Sequence, residues 1–451
     1  MREDILTTEL QKVSSESQRR ELYSMDWLDD KDKIIEGAFA ECYLKMHPMI
    51  CIHGILFTID GIVSDESGIK NDIYSMVRPY VTSGLARKVE QLLQTIKLEA
   101  YSEPLPLQTD RIHVANGTLF LNGEFSEQKD FCLNRLPVIY DPDVEKPARW
   151  LKFMEELLNP DDILTLQEYM GYMLLPTTKA QKMMLIIGEG KSRIGLVLRE
   201  LFGNNMYSCS LQKIEVDKFA RANLEYMLIT VDDDMKLEAL PQTNHIKSIV
   251  TLEDQIDLER KGQQSFQGVV YARLIAFGNG GLHALYDKTD GFYRRQLILT
   301  TKDKVDGRED DPYFIDKLRK ERDGIFLWAL EGLQRLVSNN YVFTESVDAK
   351  QNLVDAQEEG NNILAFMKSE GYLQFEIGKK ISSTDFYNIY VSWKEDNLEN
   401  PRASAGFLHY IKENQKRYGL IYDAKCIGNR RGFHNVCKAE FTPVAGKTPF
   451  D

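Results

Sequence analysis

Hydrophobic and polar positions divide the chain into stretches of different period. In the first hundred residues, MICIHGILFTIDGIV predicts two strands about a His53-Gly54 turn, with a second turn at Asp60-Gly61. Apolar residues at Ile73, Met76 and Val77, then Val89, Leu92, Leu93 and Ile96, have helical spacing across 70–100. SEPLPLQTD (102–110) has linker composition. IHVANGTLFLNGEF predicts a hairpin turning at Asn116-Gly117 or Asn122-Gly123, and helical pattern follows over 146–175.

From 181 to about 302 the period changes. Apolar runs recur at MMLIIG (183–188), YMLITV (226–231), LIAFG (274–278) and QLILTT (296–301), separated by helical or polar segments. Strands alternating with helices predict a parallel α/β sheet with ligands at the carboxyl ends of its strands. A helix at 321–338 and a polar connector at 343–361 lead to a last unit. That unit reads as three helices, two with cap candidates at Ser383 and Ser404, then an extended pair about Gly428-Asn429-Arg430-Arg431-Gly432. Helices followed by a two-stranded wing suggest a winged helix. The expected units are 1–145, 146–340 and 341–451.

Composition narrows the class. The chain has 451 residues, 43% hydrophobic and 28% charged, the make-up of a folded globular protein. No apolar run reaches the ~20 residues of a membrane span. The charged start is no secretory signal, and six cysteines form no CxxC pair, so a reducing cytoplasm is expected. Net charge is −13, yet residues 401–438 hold eight Lys/Arg against Glu413 and Asp423. That stretch is +6 and the remainder −19, which suggests a nucleic-acid-facing end on an acidic body.

The chemistry-bearing residues follow the strands. MMLIIG leads into Glu189-Gly190-Lys191-Ser192 and a helical run. Strand, glycine turn, Lys-Ser and helix form a P-loop layout: Gly188, Gly190 and the helix N-terminus on phosphate, Lys191 on the β/γ-phosphates, Ser192 on Mg²⁺. One residue separates Gly188 from Gly190, so the loop is three residues short of the motif. Three readings stay open: a loop shortened in this sequence alone, a deletion that weakens ATP binding, or chance at a helix start. YMLITV delivers Asp232-Asp233-Asp234, where Asp232 would hold Mg²⁺ and Asp233 polarise water. Asn279 ends the next strand and could orient that water. Arg294-Arg295 could supply an arginine finger in trans. An insertion reads strand, Arg260-Lys261-Gly262 turn, strand. In the last unit, a helix at ~404–418 would turn Lys412, Lys416 and Arg417 to DNA, with Arg430 and Arg431 at the wing tip.

Together these residues resemble superfamily 3 helicases of the phage–plasmid–poxvirus primase-helicase type. The resemblance covers roughly 106–340. It includes Asn116-Gly117-Thr118-Leu119, Arg135-Leu136-Pro137-Val138, LQEYMGY (166–172), Phe277-Gly278-Asn279, DGFYRR (290–295) and GIFLWALEG (324–332). QTNHIKSIVTLEDQIDLERKGQQSFQG most resembles the replication initiator helicases of staphylococcal pathogenicity islands and cassette chromosomes. The resemblance implies a central AAA+ P-loop domain between an N-terminal α/β accessory domain and the C-terminal unit. It implies a homo-hexameric ring using ATP and Mg²⁺, single-stranded DNA in its channel, and 3′→5′ unwinding. Duplex origin DNA would bind the C-terminal domain, and host or element replication proteins are possible partners. It assigns Lys191 and Ser192 to Walker A, Asp232 and Asp233 to Walker B, Asn279 to sensor 1, and Arg294 or Arg295 to the finger. Arg260 and Lys261 would tip a channel hairpin. The rival readings are an origin-binding initiator with little or no turnover, an AAA+ protein remodeller and a small-molecule kinase.

Overall fold

The computed structural model describes residues 27–439, except 236–239, 241, 252–254, 263, 280–289, 304–310, 312, 361, 397–403 and 417. At the N-terminal end, α1 (Glu36–Met46) precedes an antiparallel meander of β1 (Met49–Ile52), β2 (Ile55–Thr58) and β3 (Gly61–Ile62). The stretch of helical spacing is two helices, α2 (Ser67–Val77) and α3 (Leu85–Glu99). Pro79 and Gly84, the latter at φ +68°, interrupt it. Phe39, Tyr43, Ile73, Leu92 and Ile96 form the core of this unit.

A second antiparallel sheet follows: β4 (Arg111–Val114), β5 (Gly117–Phe120), β6 (Phe125–Ser126) and β7 (Arg135–Leu136), in the order β6-β5-β4-β7. One turn candidate is used as expected and the other is displaced by one residue, because Gly117 already pairs with Val114. Ala115-Asn116 joins β4 to β5, and Asn122-Gly123 lies between β5 and β6. Buried Arg135 donates to the carbonyls of Val114 (2.7 Å), Gly117 (2.9 Å) and Ile59 (2.8 Å), tying this sheet to the N-terminal meander. Next come α4 (Ala148–Leu157) and α5 (Pro160–Tyr172), divided because Pro160 occupies the first turn of α5.

The central segment contains β8 (Met183–Ile187), α6 (Ser192–Phe202), β9 (Met206–Ser208), α7 (Leu211–Val216) and α8 (Lys218–Ala222). It continues with β10 (Ile229–Met235), α9 (Asn244–Thr251), the hairpin β11 (Ile256–Leu258) and β12 (Phe266–Gly268), and β13 (Arg273–Gly278). It ends with α10 (Asp290–Tyr293) and β14 (Gln296–Thr300). Five strands pair in the order β14-β8-β13-β10-β9, all parallel. The expected parallel sheet is therefore present. One strand is displaced from its expected span. Tyr226 sits at φ +63°, so β10 starts at Ile229 and runs on through the acidic triplet.

α11 (Phe314–Arg319) and α12 (Arg322–Ser338) complete one layer against the sheet. Met184, Ile186, Ile275 and Leu299 pack on that side with residues of α4, α5, α6 and α12. Gly171 and Gly332 let α5 and α12 cross with backbones in contact: a methyl at Gly332 would overlap the Gln167 carbonyl. The opposite face packs Leu185, Ala276 and Ile298 against α7 and α9. The stretch expected as a polar connector is α13 (Val347–Gly360), whose Ala349 and Ala356 join the two central cores. Ile112, Val114, Leu119, Leu136 and Val138 also belong to the central core. The boundaries expected at 145 and 341 thus coincide with no break in packing.

The last unit has α14 (Asn362–Lys368), β15 (Leu373–Ser382), α15 (Ser383–Asp396), α16 (Ser404–Glu413), β16 (Ile421–Ile427) and β17 (Arg430–Lys438). Its sheet has three strands rather than two, in the order β15-β17-β16, around a core of Phe366, Phe386, Tyr390, Phe407 and Phe433. No helix among the described residues is long and apolar enough to cross a membrane.

Candidate nucleotide site and nucleic-acid surfaces

The carboxyl ends of β8, β13 and β10 lie side by side, and two candidate side chains, Lys191 and Asn279, meet there. After β8 the chain turns through Gly188 (φ +116°) and Gly190 (φ +77°), conformations that favour glycine. A side chain at Gly188 would also collide with Thr301, whose buried hydroxyl has no hydrogen-bond partner among the described residues. Lys191 then precedes α6, whose first turn has no side-chain cap. A helix N-terminus without a side-chain cap leaves N–H groups that attract anions; the Ile194 N–H of this turn donates to the Lys191 carbonyl at 3.0 Å. Lys191 Nζ donates to Asn279 Oδ1 at 2.7 Å and to the Gly188 carbonyl. Strand pairing explains the meeting: Ile187 is in register with Gly278, so Asn279 is carried to the loop.

The acidic strand sorts its carboxylates by parity. Ile229 and Val231 face the layer that contains α6, and successive strand side chains point to opposite faces. Asp233 shares their side. A Cβ placed on Gly195 of α6 would lie 2.9 Å from Asp233 Oδ1. Ser192, Gly195 and Arg199 share one face of α6 by helical spacing, so Asp233 is on the Ser192 side. Burial pushes the Asp233 carboxyl up, and the Arg199 charge opposes that shift. Asp232 faces the other way. Its Oδ2 accepts the Leu211 N–H at 2.9 Å, and burial raises its carboxyl too. Asp232, expected to hold Mg²⁺, thus turns one carboxylate oxygen to the α7 side of the sheet. Asp232 fastens α7 behind the sheet, and the pairing of β10 with β13 shifts register just after it, between Asp232 and Met235. Alternation of Ile229, Val231 and Asp233 was the sequence signal for this.

Arg294 and Arg295 lie at the amino end of β14, the opposite edge of the sheet from the loop. The Met183 N–H donates to the Arg295 carbonyl at 2.7 Å there. Arg295 turns its guanidinium onto the Gly291 carbonyl, while Arg294 is exposed. Neither reaches the loop of its own chain.

The insertion is an antiparallel hairpin, with Lys261 exposed in its turn and Gly262 at φ +77°. Arg260, expected at the tip beside Lys261, is held by partners within the chain. It pairs with Glu225, whose side chain is 1% exposed, and donates to the His53 carbonyl at 2.7 Å. Its guanidinium lies 4.7 Å above the Phe266 ring. Glu225 also accepts from His53 Nδ1 at 2.9 Å. This cluster links the first N-terminal turn to the root of the hairpin. It was not legible in the sequence, because His53 lies 172 residues from Glu225 and Glu225 lies 35 from Arg260.

In the last unit the helix expected over ~404–418 ends at Glu413. Lys412 folds back, with Nζ 3.9 Å from the Tyr422 ring centre. Lys416 is exposed in the following turn, and Arg417 lies outside the described residues. Arg430 and Arg431 are exposed beside the two-residue turn Gly428-Asn429, at φ +50° and +66°.

Comparison with known proteins bears on the fold. Residues 186–295 match a family model described as a family of unknown function (DUF5906). A search of curated proteins gives no match. Among solved structures, the A-form apo structure of the NrS-1 C-terminal region is similar over 88% of this chain and 98% of its own. Its TM-score is 0.50 at 10% identity. A JCV helicase with a bound small molecule is similar over 50% of this chain and 61% of its own, with a TM-score of 0.26 at 14% identity. The NrS-1 likeness extends over nearly the whole of both chains and is a likeness of fold.

Proposed function

We propose that this chain is an ATP-dependent DNA helicase and replication initiator of a mobile genetic element. It would work as a homo-hexameric ring that tracks 3′→5′ on single-stranded DNA. The observation that carries this reading is the Lys191–Asn279 hydrogen bond at the neighbouring ends of β8 and β13, beside an uncapped helix N-terminus, with Asp233 of β10 set against Gly195 of α6. The residues fit a magnesium-bound nucleoside triphosphate. Gly188, Gly190, Lys191 and the first turn of α6 suit the phosphates, with Ser192 and Asp233 suited to the cation. The bound nucleotide supplies a phosphoanhydride to be cleaved. Lys191 offsets charge on the phosphoryl group, and Asn279 and ionised Asp233 orient water toward it. Arg294, remote from its own loop, suits the loop of a neighbouring subunit. Lys261 would contact the phosphates of the threaded strand. The helix-strand-helix-helix-strand-strand order of the last unit supports a winged-helix module on duplex DNA.

The test is ATP hydrolysis by the full chain with and without single-stranded DNA, beside Lys191→Ala, Asp233→Asn and Asp232→Asn. The expected result is DNA-stimulated turnover, abolished by Lys191→Ala and by Asp233→Asn. Asp232→Asn should retain most turnover, since an amide oxygen still accepts from Leu211. Turnover untouched by Lys191→Ala would refute the site. One observation favours a second reading, an origin-binding initiator with weak or no turnover. The short loop lets Lys191 bond the Gly188 carbonyl, so the lysine closes the space a β-phosphate would enter. Duplex binding without any turnover would select that reading.

A further inference from the structure

The expected recognition helix is poor in free cations. α16 exposes Ala405, His409 and Glu413, with His409 Nε2 3.3 Å from the Glu413 carboxylate and Lys412 folded onto Tyr422. The sheet of the same unit differs. β15 pairs with β17 at Phe375–Val436 and again at Lys380–His434, so the four residues 376–379 stand opposite Asn435 alone. The surplus forms a bulge. It is held in place: the Gly378 N–H donates to Asn435 Oδ1 at 3.3 Å, and Asn435 Nδ2 donates to the Gly419 carbonyl at 2.9 Å. Gly378 takes φ +88°, which permits the bend. At its crest Ile377 is 91% exposed, with Phe375 half exposed nearby.

Single exposed apolar residues need no explanation, but this one is followed by two lysines on a sheet that carries further cations. Lys379 and Lys380 follow it and are exposed. Lys380, His434 and Ile421 form one row across the three strands. Lys425 is exposed on β16, and Arg430 and Arg431 stand at the hairpin turn. The acids near them are Asp423, which accepts from His434 Nε2 at 3.1 Å, and Glu376, which accepts from Gln374 at 3.0 Å. An ordered apolar crest followed by two lysines, on a sheet whose hairpin turn carries two arginines, suits a duplex: cations on phosphates, and an aliphatic wedge against a base step.

We infer that the C-terminal unit grips duplex DNA through this sheet face and not through α16, with the Ile377 bulge inserted at a minor-groove step. The inference rests on the reading of the protein as one that acts on DNA.

The test uses the full chain and a fluorescent mixed-sequence duplex containing 2-aminopurine, titrated at several salt concentrations. Ile377→Ser should weaken binding roughly tenfold at unchanged salt slope and abolish the 2-aminopurine increase. Lys379→Ala with Lys380→Ala should lower the slope of log K against log salt by about two. His409→Glu on α16 should change affinity less than about twofold, whereas a helix seated in the groove would lose it. Ile377 and the lysines are exposed, so these variants keep the fold. Parental binding that survives both sheet variants overturns the inference and leaves the DNA reading intact. Absence of duplex binding by the parent chain overturns both. Light scattering supplies a further check. A molar mass that falls with Ile377→Ser would make the crest a contact between copies and overturn the inference.

Discussion

His113 shows how much one side chain's surroundings can decide. It stands on β4 between Thr118 Oγ1, at 3.0 Å from Nδ1, and the Gln108 side chain. Burial, and then the charges of Arg135 and Arg111, push its pKa from 6.5 down to about 4. The folded protein therefore holds this imidazole neutral, while the unfolded chain takes up a proton at 6.5. The stability so gained is complete above pH 6.5 and is lost as pH falls toward about 4. Its size is about 2–3 kcal/mol. Denaturant titrations at pH 7 and pH 4.5 should show that loss in the parent chain. His113→Gln, which has no proton to gain, should show a smaller drop over the same interval. An equal drop in both would mean that other groups carry the acid sensitivity. The same reasoning separates the two acids of β10. Residue identity placed a carboxylate pair there, but only the direction of each side chain assigns one to the loop and the other to α7.

At the level of elements, the hairpin β11–β12 depends on a joint that neither of its strands supplies. Glu225 precedes β10, His53 sits in the β1–β2 turn, and Arg260 lies just beyond β11; the buried carboxylate binds both partners. Removing the charge leaves the Arg260 guanidinium without its counter-ion, a loss on the order of 3 kcal/mol for a buried pair. Glu225→Gln should raise amide hydrogen exchange across 256–268 and in the 53–55 turn, with exchange in β8 and β13 unchanged. Exchange raised uniformly over the sheet would instead make Glu225 a general core residue. Two motifs of the helicase resemblance also gain a physical meaning here. LQEYMGY and GIFLWALEG contain Gly171 and Gly332, where α5 and α12 touch backbone to backbone. Their sequence pattern is that of a close helix crossing, not of a ligand site.

For the whole molecule, the separation of Arg294 from its own loop is the informative feature. The arginine stands at the amino edge of the sheet and Lys191 at the carboxyl edge, so a single chain cannot bring them together without breaking β14. If Arg294 completes a neighbour's site, Arg294→Ala should lower DNA-stimulated turnover by ~10³. Mixing that variant with Lys191→Ala should restore part of the activity, because some interfaces then combine an intact lysine with an intact arginine. No recovery on mixing, with both variants folded and assembled, would place the arginine outside the reaction. The distribution of charge has the same scale. An acidic body of −19 with a basic end of +6 concentrates attraction for nucleic acid in the last unit.

Local chemistry made several features legible before folding. Apolar runs predicted the strands of the parallel sheet, glycines beside Lys191 predicted a turn between strand and helix, and Asn122-Gly123 fell at a turn. Period and turn propensity are properties of neighbours in the chain, so neighbours suffice to read them. Other features needed the folded molecule. Strand pairing brought Asn279 to Lys191 across 88 positions and set Asp233, not Asp232, beside α6. Packing drew residues 112–138 and α13 into the central cores, and gathered Arg260, Glu225 and His53 into one joint. It also turned Lys412 onto Tyr422 and raised Ile377 on a bulge, which moved the candidate DNA surface from a helix to a sheet. Such contacts depend on which faces are buried together, and burial is shared among residues far apart in the chain.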